Sequence, residues 1–117
     1  MIDHTGIGVA DVGRSAAFYD AVLGSLDLRR VMQLPENEGT DGIGCGVDYP
    51  IFWIDRFHPP SVSQHVAFAA KSRAEVESFH AAGLRAGAPT TEHLACARGA
   101  TRPGTTQPSC WIRTATT

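Results

Sequence analysis

The sequence predicts an α+β fold built from two similar units, and three observations carry that expectation. The first is an internal repeat. His4-Thr5-Gly6-Ile7-Gly8-Val9 and His65-Val66-Ala67-Phe68-Ala69-Ala70 begin 61 positions apart, and the same offset pairs Phe18 with Phe79, Ala21 with Ala82 and Leu23 with Leu84. The second is that each apolar run meets a polar break, Asp11 or Ser72, and then a helical stripe of apolar residues. The third is a series of short apolar runs and turn residues after the first helical stripe. Half-size units of this kind bury their apolar faces only against one another, so the repeat decides the architecture.

Each element has a local reason. Residues 2–9 alternate between apolar and small or polar types, which suits a strand. Asp11 caps a helix over 12–23, whose Ala16, Phe18, Tyr19, Val22 and Leu23 gather on one face, and Gly24 ends it. Residues 26–34 read as a second strand and 35–41 as a polar loop. Residues 42–47 form a third strand and 51–55 a fourth, joined by Asp48-Tyr49-Pro50. The first unit, residues 1–55, is therefore β-α-β-β-β. Residues 56–63 hold Pro59-Pro60 and read as a linker.

The second unit begins the same way at 64–89. A strand over 64–70 leads to Ser72, which caps a helix carrying Val76, Phe79, His80 and Leu84, and Gly87 closes it. After Pro89 the pattern stops. Residues 90–117 are rich in threonine, contain Glu92 as their single acid, and follow neither the strand nor the helix period. The repeat calls for three more strands there, and the sequence shows none.

Composition sets the outer limits. A chain of 117 residues with 43% hydrophobic residues and a net charge of −2 is expected to form one domain, with no nucleic-acid surface. It has no apolar run long enough to span a membrane and no basic-then-apolar N-terminal signal, so a cytoplasmic protein is expected. The 3 cysteines, Cys45, Cys96 and Cys110, form no CxxC pair and read as buried or incidental thiols. Gly42-Ile43-Gly44-Cys45-Gly46 lacks the GxGxxG spacing and a following helix, so its glycines are expected to allow close backbone approach in a sheet. Phe52 and Trp53 fall on opposite faces of one strand, one lining a cavity and the other packing on a helix.

Several stretches together resemble the vicinal oxygen chelate superfamily, which includes glyoxalase I, bleomycin-resistance proteins and extradiol dioxygenases. They are Asp3-His4-Thr5-Gly6-Ile7-Gly8-Val9, Arg14-Ser15-Ala16-Ala17-Phe18-Tyr19 with Leu23-Gly24, Pro50-Ile51-Phe52-Trp53-Ile54, Gln64-His65-Val66-Ala67-Phe68-Ala69-Ala70, and 74–87. The likeness covers residues 1–89. It implies paired βαβββ modules forming a cup around a divalent metal ion (Zn, Fe, Mn, Ni or Co). It places metal ligands at His4 and His65, with a third, a glutamate, on a last strand after an Asp-Pro-Asp-Gly-like turn. The sequence has no such stretch. The implied activity is that of a metal-dependent lyase or dioxygenase acting on a small-molecule substrate, the metal serving as Lewis acid. The alternative is a non-catalytic small-molecule binding module like the bleomycin-resistance proteins. A homodimer is also implied.

The tail has an explanation in the genetic code. Read with the frame moved by one base, Cys110-Trp111 encodes Leu, Trp111-Ile112 encodes Asp, and the next codons permit Pro-Asp-Gly. Residues 90–117 are thus read as a frameshifted tail. On that reading the second module is truncated after its helix, the third ligand is missing and activity is impaired. Among other candidates, His58 in the linker and His80 on the helix are expected to be structural or exposed. His93 and Glu92 lie in the tail, and nothing in the sequence brings Glu92 near His4 or His65.

Overall fold

The computed structural model describes residues 1–34, 41–60, 64–87, 92–96 and 109–114. The first unit forms as expected: β1 (Thr5–Gly8), α1 (Val12–Gly24), β2 (Arg29–Leu34), β3 (Gly42–Gly46) and β4 (Pro50–Asp55). Its sheet runs β1-β4-β3-β2, with β1 parallel to β4 and the other pairs antiparallel. The second unit opens with β5 (His65–Ala69) and α2 (Arg73–Ala86). Among the described residues no helix is long and apolar enough to cross a membrane.

The helices begin where the sequence says. The Asp11 carboxylate accepts from Arg14 N at 3.1 Å, and the Ser72 hydroxyl accepts from Glu75 N at 3.2 Å. Glu75 reaches back to accept from Lys71 N at 2.7 Å, a variant of the reciprocal capping pair. The two helices stop differently. Gly87 takes φ +68 after α2, as a helix-terminating glycine does. After α1 the left-handed residue is Asp27 (φ 61), not Gly24. Leu28 N donates to Leu23 O at 3.0 Å and Asp27 N to Gly24 O at 3.2 Å, a Schellman closure that carries Leu28 onto the core. Aspartate tolerates that conformation better than most residues with a Cβ.

One run of rings joins the two units. Tyr19 on α1 meets Phe52 on β4 at 5.3 Å between centroids. Phe52 meets Phe68 on β5 edge-on at 5.2 Å, and Phe68 meets Phe79 on α2 at 6.3 Å. Tyr19, Phe52 and Phe79 are fully buried and Phe68 nearly so. The helices pack on each other as well, so the apolar face of each covers that of its counterpart.

Beyond α2 the structure corrects the sequence reading. Two strands stand where none was expected, β6 (Glu92–Cys96) and β7 (Ser109–Thr114), in a sheet ordered β5-β7-β6 with both pairs antiparallel. The second unit therefore does not stop at its helix. The reason lies in the backbone. The edge of β5 presents N–H and C=O groups that need partners, and both tail segments are free of proline and glycine. Ladder formation tolerates side chains with no alternating pattern. The match to the first unit is still broken, because β1 lies beside a parallel fourth strand whereas β5 lies beside antiparallel β7. The register also sets Cys96 opposite Cys110, a cross-strand pairing that the sequence spacing did not suggest.

Phe52→Ala should destabilise the fold by about 3–5 kcal/mol in urea titration, since it removes the ring that both units share. Gly8→Ala should destabilise it too, because a Cβ there would lie 2.2 Å from Pro59 O and 2.7 Å from His58 O. Gly24→Ala, whose Cβ meets nothing within 4 Å, should instead be neutral or stabilising by about 0.5–1 kcal/mol.

Candidate functional site

A cleft of about 500 Å³ lies on the first sheet, in the size range of small-molecule sites. Its lining comes from β1 (His4 just before it, Thr5, Gly6), from Leu34 at the end of β2, from Trp53 and Asp55 on β4, and from Phe57 and His58 beyond. Glycines make the room. A Cβ on Gly6 would stand 3.0 Å from Trp53 Cβ, and one on Gly44 would stand 3.0 Å from the Trp53 ring. The indole therefore lies over a strand that only glycine keeps low, as the run from 42 to 46 suggested. The alternation of β4 is resolved as well. Phe52 enters the core and Trp53 faces the cleft.

His4 lies at one end of the cleft. Its Nδ1 is 2.8 Å from Asp3 Oδ1, with the two side chains 59% and 79% exposed. A carboxylate on Nδ1 favours the tautomer that carries its proton there and leaves Nε2 as the acceptor or ligand nitrogen. His65 begins β5, exposed and opposite Arg113 of β7. The residues lining the cleft include His4 but not His65. Glu92 begins β6 opposite Thr114, one position out of the cross-strand row that joins His65, Arg113 and His93. Among the described residues, no group of three histidine, cysteine or acidic side chains could hold a metal ion.

The sequence reading missed the other end of the cleft. Asp55 is 5% exposed. Its Oδ1 accepts from Phe57 N at 3.0 Å and His58 N at 3.3 Å, and lies 3.1 Å from His58 Nδ1. Its carbonyl accepts from Val9 N at 2.9 Å, and Arg56 N donates to Asp41 O at 3.1 Å while its guanidinium pairs with the Asp41 carboxylate. Residues 55–58 are thus tied to neighbours on both sides. His58, expected to be merely structural or exposed, is exposed and also lines the cleft. The available signal was an aspartate at the end of a strand, three positions before a histidine, where an aspartate turn commonly forms.

Cys45, buried in β3, has its thiol pushed up to about 11, mainly by burial and further by the nearby Asp20 carboxylate. A thiol that stays protonated is a packing residue rather than a nucleophile. His80 lies on α2, within the helical stripe.

No family model matches the sequence, and no curated protein matches it. A solved structure does: a glyoxalase/bleomycin resistance protein from Albidiferax ferrireducens T118 is 26% identical and superposes with a TM-score of 0.54. The match covers 80% of this chain and 74% of that one. With a βαβββ unit, a second unit opening on an equivalent strand and helix, and this neighbour, the chain has the fold of the vicinal oxygen chelate superfamily.

Proposed function

We propose that this chain binds a small molecule in the His4 cleft, as a domain of the glyoxalase/bleomycin-resistance kind, and that metal-dependent chemistry is impaired in it. The observation that carries this reading is the cleft itself. Its walls are apolar (Leu34, Trp53, Phe57) and its polar groups sit at the two ends (His4 and Thr5; Asp55 and His58). That division suits a compact organic ligand better than a peptide or a nucleic acid.

A divalent ion (Zn, Fe, Mn, Ni or Co) held on His4 and His65 would act as Lewis acid on substrate oxygens. The described donors fit such an ion poorly, because catalytic sites of this kind use three protein ligands and no such trio is found among them. The glutamate that the family resemblance calls for has no counterpart in the sequence. The same reading takes 90–117 as an out-of-frame tail, and it takes the small-molecule partner rather than a metal-bound reaction as the remaining function.

Calorimetric titration with Zn²⁺ or Ni²⁺ should therefore give a dissociation constant weaker than about 1 µM, and no lyase or dioxygenase turnover should accompany it. Binding 1:1 at that strength or tighter, abolished by His4→Ala, would contradict the impaired-metal reading. Binding of an aromatic probe in the cleft, followed by tryptophan fluorescence, should survive EDTA. Loss of binding on chelation would instead favour the metalloenzyme.

A further inference from the structure

We propose that His58, fixed by Asp55, is a ligand-recognising residue of the cleft, and that the ligand is a planar aromatic molecule carrying a hydroxyl group. This rests on the cleft being a small-molecule site and adds the class of molecule it takes. Three observations support it.

The first is the length of the cleft. Gly8 pairs with Asp55 in the parallel β1–β4 register, and Thr5 pairs with Phe52. His4 and Asp55 therefore sit about four strand positions apart, about 13 Å along the sheet. His4 and His58 mark opposite polar ends rather than one metal site. The second is the wall between them. Trp53, Phe57 and Leu34 offer apolar surface, and glycines at 6 and 44 let the Trp53 indole lie close on the strands beneath it.

The third is the contact that orients the imidazole. Asp55 is buried, engages two backbone N–H groups of its own turn and faces His58 Nδ1 at 3.1 Å. With its Nδ1–H donating to that carboxylate, the ring turns Nε2 outward, and in the neutral tautomer this nitrogen is an acceptor. The His58 side chain is 72% exposed, so the ring can be reached, while the backbone beneath it is pressed against Gly8. An acceptor nitrogen beside aromatic walls selects a ligand that donates a hydrogen bond, as a phenolic O–H does. A site built to accept one rejects an analogue that lacks the donor.

The test compares 2-naphthol with 2-methoxynaphthalene, which matches its ring system and lacks the donor. Binding is followed by Trp53 fluorescence in a Trp111→Phe background. We expect 2-naphthol to bind about tenfold more tightly, and His58→Phe to abolish that preference while 2-methoxynaphthalene binds as before. Equal binding of the two compounds, lost in Trp53→Ala by a competition assay, overturns the inference and leaves the cleft as a small-molecule site. A preference for 2-naphthol that persists in His58→Phe also overturns it. Binding of neither compound overturns this inference, and if other small aromatics also fail to bind it counts against the cleft reading as well. Unchanged thermal unfolding of His58→Phe, expected for so exposed a side chain, separates recognition from folding.

Discussion

The contact between Phe52 and Phe68 holds the architecture together. One ring belongs to the last strand of the first sheet and the other to the first strand of the second, and their edge-on packing makes two half-size units share one core. Tyr19 and Phe79 extend the contact to the two helices. Among the described residues each sheet carries one helix, and the buried residues of the two units form a single cluster. Removing Phe52 from water on one face also determines what lies on the other. The next residue of β4 must face away from the core, and that residue is Trp53, the wall of the cleft.

The cleft is thus a by-product of core packing, refined by glycine. Gly6 and Gly44 make space for the indole, and Gly8 lets the backbone at 58–59 cross β1 at close range. The same crossing delivers His58 to the cleft, with Asp55 as its anchor. Exposed ion pairs elsewhere, such as Arg30 with Asp20, join α1 to β2 but add little energy in water. The guanidinium of Arg30 is held above its ordinary pKa chiefly by the hydrogen bond to Asp20.

The second sheet shows how far backbone pairing can proceed without side-chain patterning. Residues 92–96 and 109–114 have no alternating apolar face, yet they pair with β5 and each other. The arrangement differs from the first sheet in the step beside its opening strand, where an antiparallel neighbour replaces the parallel one. A copy of the first unit would bring a fourth strand beside β5, where the resemblance would place a third metal ligand. The described chain places β7 there instead, so the units are alike in their opening strand and helix and unlike in their later strands.

The sequence alone determined the elements of the first unit, both helix caps and the pairing of two similar halves. Those signals are local, namely a capping side chain three residues before the amide it binds, an apolar stripe, or a glycine at a helix end. It also named His4, because a repeat marks equivalent positions without any coordinates. Only the tertiary structure decided which of Phe52 and Trp53 is buried, since alternation fixes opposition but not direction. Only it showed that Asp27 rather than Gly24 turns the chain after α1, and that residues 92–96 and 109–114 pair as strands. It alone brought His58 to the far end of the cleft, because that position depends on a backbone crossing over Gly8, a contact between residues 50 positions apart that no local pattern encodes.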